Sequence, residues 1–398
     1  MKWSPQQAQA LDSINAWYRC GDTSQPFILA GHAGTGKTTL AKHIAETIGG
    51  FVPFVTFTGK AAHVLRKKGC TTAETIHRLI YQPKSKSRKT LKDLENDLVI
   101  ALTNDDTQSV LMIQKEIDLE KERLDQPSFQ LLEESRAQEA DVIIVDEYSM
   151  IDEKLGADLV GFGRPIIALG DPGQLPPVRG RSYFRQRPSF ILEEVHRQAK
   201  DNPIIHLSTL ARRGEHIPFG EYGLSRVVPW GSIEESDVLA HDQILVGRND
   251  TRVSSNARVR EIKGHSASPT PKAGERVVCC RNNHQINLMN GSTWEVMGVS
   301  EVSAADRIGL TLHDPDFLED GKTWIEAYTA PFKGVKLPFW EKDAEIFDFG
   351  YALTVHKSQG SEWSSVMVFD ESAFFRRDAN KHLYTAITRA SERVTLVK

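Results

Sequence analysis

Cysteine is scarce in this chain: four in 398 residues, Cys20, Cys70 and the adjacent Cys279 and Cys280, with no C-x-x-C spacing among them. So few thiols in so long a chain point away from a disulfide framework and predict reduced, buried, structural cysteines. Long apolar runs are missing as well. No stretch approaches the roughly 18 residues of a membrane-spanning helix. The opening residues, MKWSPQQAQALDSINAWYRCGDTSQ, contain neither an apolar signal core nor a small-residue cleavage site. The expectation is a cytoplasmic chain with no membrane partner. Nor does one sign of charge dominate: 49 Lys and Arg face 53 Asp and Glu, a formal net charge of −4. That excludes a polycation coating nucleic acid through bulk charge, while leaving local basic patches open. No internal repeat is visible, which sets aside repeat architectures.

What is present is an alternating strand–helix pattern. A length of 398 residues exceeds one compact core and predicts two to four domains. PFILAG (26–31) reads as a short buried strand. TTLAKHIAETIGG follows as a helix with Leu40, Ile44 and Ile48 on one face and a double-glycine stop. FVPFVTFTG (51–59) reads as the next strand, and KAAHVLRKKG as a helix carrying Lys60, Arg66, Lys67 and Lys68. Such alternation calls for a mostly parallel sheet covered on both faces, an α/β fold. Residues 81–138 interrupt it with a basic stretch, YQPKSKSRKTLK, and a charged, partly helical one; they read as an insertion projecting from the sheet. The pattern resumes at ADVIIVDE (140–147) and RPIIALGDPGQLPP (164–177), apolar strands ending in acids at the carboxyl edge, where open sheets place their chemistry. A second α/β unit starts near 180, has DQILVGRND (242–250) as its clearest strand, and closes with SSVMVFD and RVTLVK. Between roughly 264 and 347, the runs ERVVCC, STWEVMGVS, RIGLTLHD and KTWIEAYTA read as short strands of a small β-barrel.

GHAGTGKT (31–38) matches G-x-x-x-x-G-K-[ST] in full, between a strand and a periodic helix as that motif requires. Gly31, Gly34 and Gly36 let backbone amides turn toward bound phosphates, with Thr35 and Thr39 in the same cradle, and the helix N-terminus adds its positive end. Lys37 is the candidate for the β- and γ-phosphates of ATP, and Thr38 for Mg2+. A hydrolysing site also needs acids on a neighbouring strand tip. VIIVDEYS offers Asp146 to hold Mg2+, directly or through water, and Glu147 to orient and deprotonate the attacking water. A small-molecule kinase has no use for a water-activating carboxylate, nor for a second α/β half. A motor does need a second body, one that brings cations to the terminal phosphate on closing. Arg197 in LEEVHRQ (192–198) and Arg389 in NKHLYTAITRASERVTLV (380–397) are the candidates, against the ordinary reading of each as a surface arginine.

Taken together, GHAGTGKTT, FTGKAAHVL, TTAETIHRL, VDEYSM, LGDPGQLPPV, EVHRQ, YALTVHKSQGSEW and LYTAITRASERVTLV, in this order across residues 31–397, resemble the motifs of superfamily 1 DNA helicases of the 5′→3′ branch, the RecD and phage Dda type. The resemblance implies an α/β fold of two tandem RecA-like P-loop NTPase motor domains, at 1–80 with 139–179 and at 180–263 with 348–398. It implies an inserted pin subdomain at 81–138 and an inserted SH3-like β-barrel at 264–347. It also assigns roles. Gln7, in SPQQAQAL, is the adenine-recognising residue, with Gln6 as the competing neighbour. Gln174 senses the γ-phosphate, Arg197 and Arg389 clamp it, and Gln359 with Gly360 joins the nucleotide site to the DNA groove. DNA contacts fall to Thr58, Lys60 and His77 in the first motor domain and to Thr354, His356 and Ser358 in the second. Arg248, Asn249 and Asn256, in ILVGRNDTRVSSNARVR (244–260), lie near the track. Hydroxyls, imidazoles and a lysine suit contact with phosphate and sugar without base reading.

Three positions depart from the family pattern: Tyr148 after the acid pair, and His32 and His63. The pin region shows no convincing hairpin, LVIAL (98–102) and Phe129 being its more apolar parts. The implied function is an ATP- and Mg2+-dependent DNA helicase of a bacterial or phage-infected cytoplasm. It would move 5′→3′ on single-stranded DNA, engage single-strand/duplex junctions and act as a monomer beside single-strand-binding, replication or recombination proteins. Two other classes compete. A nuclease lacks a further acidic cluster outside the ATP cleft. An ATP-gated remodeller of protein–DNA complexes would hydrolyse ATP on DNA without unwinding it.

Overall fold

The computed structural model describes residues 3–83, 89–104, 106–125, 129–177, 180–194, 202–286, 288–302, 304–314, 321–338 and 343–398. Helix α1 (Pro5–Arg19) opens with a reciprocal cap: the Ser4 hydroxyl accepts from Gln7 N–H, the Gln7 side chain accepts from Ser4 N–H, and Pro5 presets the first turn. The chain then alternates through β1 (Phe27–Gly31), α2 (Lys37–Ile48), β2 (Phe54–Thr56), α3 (Gly59–Lys67), β3 (Glu74–Thr75) and α4 (Ile76–Ile80). An excursion follows, β4 (Tyr81–Pro83), α5 (Lys89–Thr103), α6 (Thr107–Asp125) and β5 (Phe129–Leu131). The alternation resumes with β6 (Ile143–Val145), α7 (Glu153–Val160), β7 (Ile166–Gly170) and β8 (Phe190–Leu192).

Six of these strands form a sheet in the order β3-β2-β6-β7-β1-β8, every pair parallel. Its strands are apolar along their length because both faces are covered. Leu40, Ile44 and Leu169 pack on one face, and Ile76, Ile143 and Phe184 on the other. Strand β8 corrects the expected boundary at 179. Phe190–Leu192 pairs with Leu29–Gly31, and Tyr183 N donates to Ile151 O, so residues 180–192 belong to the first unit. The excursion is also shorter than 81–138: Ser135 Oγ donates to Leu79 O at 2.6 Å, and Ala137 is buried in the first core. It consists of an antiparallel β4–β5 ribbon carrying the α5–α6 pair, whose own core is small (Leu91, Ile117, Leu124). Val99, Ile100 and Leu102 of LVIAL are exposed, as are Leu111, Met112 and Phe129.

The second unit runs through α8 (Pro203–Arg213), β9 (Gly220–Tyr222), β10 (Ser225–Val228), α9 (Glu235–Leu239), β11 (Gln243–Val246) and α10 (Asn249–Ile262). After β12 (Arg276–Cys279), β13 (Thr293–Ser300), β14 (Arg307–His313), β15 (Lys322–Tyr328) and β16 (Phe347–Phe349) it returns with β17 (Ala352–Thr354), α11 (Val355–Ser358), β18 (Trp363–Phe369), α12 (Ala379–Ile387) and β19 (Ala390–Val397). Its sheet has the order β17-β11-β18-β19-β10-β9, parallel except for the antiparallel edge strand β9. Strands β15-β14-β13-β12-β16 form a separate antiparallel sheet that buries Val277, Trp294, Leu310 and Phe347. Because β16 pairs with β12, residues 347–349 belong to this inserted sheet, and the expected return at 348 falls slightly later.

Expectations of four buried cysteines need one correction: Cys20, just past the end of α1, is exposed, whereas Cys70 and Cys279 are buried. No helix among the described residues is long and apolar enough to cross a membrane.

The inserted sheet is tied to the second unit by a buried ion pair. Arg260 on α10 donates to both carboxylate oxygens of Glu275 at 2.8 and 3.1 Å, and its guanidinium lies 4.0 Å over Phe349. Removing one member of such a pair strands the other charge. Glu275→Ala is therefore expected to cost about 3–5 kcal/mol, read as a lowered urea midpoint. Glu275→Ala with Arg260→Met should recover part of the loss.

Candidate nucleotide and nucleic-acid sites

The phosphate loop joins β1 to α2. Gly34 and Gly36 have φ of +78° and +81°, a left-handed backbone that residues with a Cβ rarely adopt, which is why glycine stands at both positions. Thr35 is buried, its hydroxyl donating to His32 O at 2.9 Å. Lys37 Nζ donates to Gly31 O at 2.6 Å and His32 O at 3.0 Å. Thr38 is half-buried in the first turn of α2, and Thr39 is exposed. Gln7 underpins the loop: it is buried, and its amide donates to Thr35 O at 3.2 Å. Gln6 instead binds the segment after β8, accepting from Glu193 N and Glu194 N.

Asp146 and Glu147 sit at the tip of β6. Burial, with the neighbouring Glu147 charge, pushes the Asp146 carboxyl up to about 6, and Lys37 opposes the shift. Asp146 Oδ1 accepts from Glu147 N at 2.9 Å. Glu147 itself has φ 55° and ψ 48°, a left-handed conformation that costs a non-glycine residue about 1–2 kcal/mol. Tyr148, unusual after the acid pair, fits because Gly170 has no side chain: a Cβ there would lie 2.5 Å from the tyrosine ring. The hydroxyl of Thr38 and the carboxylate of Asp146 are hard oxygen donors. They fit Mg2+, which is held through one or two carboxylates, waters and substrate phosphates.

The loop Asp171–Gln174 after β7 closes the cleft. Gln174 is 8% exposed, and its Oε1 has no hydrogen-bond partner among the described residues. Asp171 is 1% exposed and accepts from His32 Nδ1 at 3.1 Å, from Gly173 N at 2.9 Å and from the Tyr384 hydroxyl. Burial alone would raise its pKa. The His32 hydrogen bond, the Lys37 charge and Tyr384 outweigh that, leaving it below the ordinary value. Arg389 is 6% exposed and donates to Thr385 O, Ser361 O and Thr388 Oγ1 at 3.1–3.3 Å. Arg197 lies outside the described residues.

Some of the nucleic-acid candidates lie where α3 meets the segment after α11. Thr58 caps α3, accepting from Ala61 N at 3.2 Å. Gly360, expected with the nucleotide site, is instead set against α3: with φ +76°, its Cβ position lies 2.9 Å from Thr58 Oγ1 and Ala61 Cβ. The amide of its neighbour Gln359 donates to Leu175 O, in the first unit, at 3.2 Å. Lys60 is buried, its ammonium 4.8 Å from the centre of the Trp363 ring. His77 packs among Phe57, Tyr81 and Phe129, with ring centres 5.1–6.0 Å away, and burial lowers its pKa. His356 is likewise lowered by burial and packs on Phe375. Thr354 is buried and caps α11. Arg248 pairs with Glu371 at 3.2 Å and lies 4.4 Å over the exposed ring of Phe374; Asn249 is exposed.

Two expected track residues are buried and bonded within the second unit. Ser358 is fully buried and donates to Val355 O inside its own helix. Asn256 is buried and bridges Ala352 N and O on β17. Both share the inward faces of their helices with a buried valine, Val355 beside Ser358 and Val259 beside Asn256. Sequence reasoning also missed residues that matter here. Asp171, Trp363 and Tyr384 stood inside the quoted motifs without a role; Arg212 and Phe374 carried no signal of their own.

A fully matched phosphate loop on a parallel α/β sheet, with an acid pair on the adjoining strand tip, defines a P-loop NTPase that binds ATP. A family described as "AAA domain" matches residues 2–231, and one described as "UvrD-like helicase C-terminal domain" matches residues 349–397. The chain belongs to the first of these families, whose model covers more than half of it, and it resembles superfamily 1 helicases of the RecD2 kind. It is 27% identical to the ATP-dependent RecD2 DNA helicase of Deinococcus radiodurans, over 98% of this chain and 48% of that protein. It is 26% identical to the RecBCD enzyme subunit RecD of Mycolicibacterium smegmatis, over 65% of this chain and 50% of that one. The chain thus spans about half the length of these curated relatives. In fold it is similar to the Pif1 helicase of Candida albicans (TM-score 0.51, 17% identity, 100% of this chain and 95% of that one). It is also similar to a Bacteroides Pif1 helicase solved with ADP-AlF3 and single-stranded DNA (TM-score 0.53, 15% identity, 99% and 92%).

The raised Asp146 pKa sets a pH dependence. With Asp146 as the candidate Mg2+ ligand, its protonation would remove that charge, and Mg2+ affinity is expected to fall as pH drops through about 6. Titrating Mg2+ against a fluorescent nucleotide should show about a tenfold loss per pH unit below that point. Asp146→Asn should flatten the profile.

Proposed function

We propose that this chain is an ATP-driven motor that moves 5′→3′ on single-stranded DNA and separates duplex at junctions, its two α/β units acting as RecA-like motor domains. The observation that carries this reading is a double contact between the units. The phosphate loop and the Asp171–Gln174 loop touch α8 and α12 on the cleft side, and Thr58 and Lys60 touch Gly360 and Trp363 on the track side. A change at the nucleotide therefore acts on both bodies, as a motor that grips alternately requires.

In this reading Lys37 and the loop amides hold the phosphates, Thr38 and Asp146 hold Mg2+, and Gln7 supports the nucleotide site. When bound, Mg2+ would screen charge on the phosphates. Glu147 orients the attacking water and takes its proton, and Gln174 senses the γ-phosphate. Arg389 is buried among neutral acceptors, with no carboxylate partner among the described residues, which suits a cation reserved for a phosphate. Arg197 is its proposed companion. The track comprises Thr58, Lys60, His77, Arg248, Asn249, Thr354 and His356. The excursion with its exposed apolar tip is the proposed pin, and the β12–β16 sheet the proposed SH3-like barrel. Work as a monomer in the cytoplasm, beside single-strand-binding, replication or recombination proteins, completes the proposal.

Strand displacement tests it. A duplex with a 5′ tail should be unwound with ATP and Mg2+, and one with a 3′ tail should not. DNA-stimulated hydrolysis with no release from either duplex would leave the non-unwinding remodeller as the function. Glu147→Gln should keep nucleotide affinity while turnover falls about 100-fold or more; undiminished turnover would remove Glu147 as the base.

A further inference from the structure

Four side chains connect the phosphate loop to the second unit in an unbroken line: Arg212 on α8, His32 in the loop, Asp171 after β7, and Tyr384 on α12. Their donor and acceptor roles can be assigned without ambiguity. A guanidinium only donates, so His32 Nε2 accepts from Arg212. The proton of a neutral imidazole then sits on Nδ1 and is donated to Asp171 Oδ1 at 3.1 Å. Asp171 Oδ2 accepts from the Tyr384 hydroxyl, and the Tyr384 oxygen in turn accepts from Ala33 N at 3.2 Å. The line therefore begins and ends in the second unit and grips the phosphate loop at two successive residues, His32 and Ala33. Gly173 makes the approach possible: a Cβ there would lie 3.0 Å from the Tyr384 ring and 3.1 Å from Arg212 Cδ.

We propose that Arg212 and Tyr384 are positioning residues for nucleotide binding: acting through His32, Asp171 and the Ala33 amide, they hold the phosphate loop in its binding shape from the second unit. Three observations favour a role beyond general packing. Asp171 is almost fully buried, so its bonds to His32 and Tyr384 operate without solvent competition. The bonded loop atoms include a backbone amide of the phosphate cradle itself. And the guanidinium of the second unit that reaches this loop among the described residues is that of Arg212, whereas Arg389 bonds to carbonyls of its own unit. Nucleotide affinity thus becomes a property of both bodies. The inference rests on the phosphate loop as the ATP site and is independent of the DNA track.

The test uses the full chain without DNA. Binding of fluorescent ADP and of a non-hydrolysable ATP analogue is measured for Tyr384→Phe, Arg212→Gln, His32→Ala and the double His32→Ala/Arg212→Gln. Each single change should weaken both nucleotides about threefold to tenfold, the size of one lost hydrogen bond. The double variant should be no weaker than the worse single, because both changes break the same bond. Hydrogen exchange over residues 31–38 should quicken in Tyr384→Phe, a readout that needs no nucleotide. The KM for ATP should rise while kcat stays within about twofold. Arg212→Lys, which keeps a donor and the charge, should restore most of the affinity lost in Arg212→Gln. Unchanged ADP affinity in Tyr384→Phe and Arg212→Gln would overturn the proposal, as would additive effects in the double variant. Loss of the triphosphate analogue alone would overturn it in favour of Arg212 as a direct ligand of the terminal phosphate. Should Arg212→Gln fail to fold, Tyr384→Phe, which removes a single oxygen, still decides.

Discussion

A carboxylate buried at the junction of two bodies governs this molecule. Asp171 stands at the end of a central strand of the first sheet and receives donors from three directions: its own loop, the phosphate loop and α12 of the second unit. A charge with so little access to water is tolerable only when its lone pairs are filled. The requirement works in both directions. The second unit cannot withdraw from the phosphate loop without leaving this carboxylate short of a donor, so the relative position of the two sheets and the shape of the nucleotide cradle are mutually dependent.

The same economy of distance joins the cleft to the proposed track. The α11 segment is four residues long, yet its ends face different tasks. At one end Thr354 caps the helix near the candidate DNA surface. At the other, Gln359 holds Leu175, one residue past Gln174, while Gly360 presses on Thr58 and Ala61. Over so short a rigid turn, motion of the Asp171–Gln174 loop cannot be absorbed as slack. In the proposed motor it would appear as displacement between α3 and the second unit, where Lys60 and Trp363 also meet.

Strain is placed where chemistry is expected. Glu147 holds a left-handed backbone beside Asp146, whose carboxyl is pushed up by burial and by Glu147 itself. Two acids forced together at a strand tip form an arrangement that a divalent cation would relieve, and the packing of Tyr148 into the space left by Gly170 keeps the turn from relaxing.

Much of this was legible beforehand because the signals are local. Strand tips at Asp146 and Asp171 follow from apolar runs that stop at an acid. The phosphate loop follows from glycine spacing, and the antiparallel insertion from short alternating runs. Boundaries were harder. Nothing in FIL (190–192) announces that it pairs with β1, since strand partnership is a relation between distant segments. The burial of Ser358 and Asn256 was not legible for a related reason: a motif names a residue type, and only packing decides which way it faces. Arg212 marks the limit. Its helix is an ordinary amphipathic one with a basic last turn, and its meaning depends on a histidine 180 positions earlier in the chain. The sequence by itself determined which groups are available for phosphate chemistry, because that chemistry needs specific atoms at fixed short spacings. The tertiary structure alone decided which of them touch across the two units, because burial and hydrogen-bond satisfaction are properties of surfaces brought together by the whole fold.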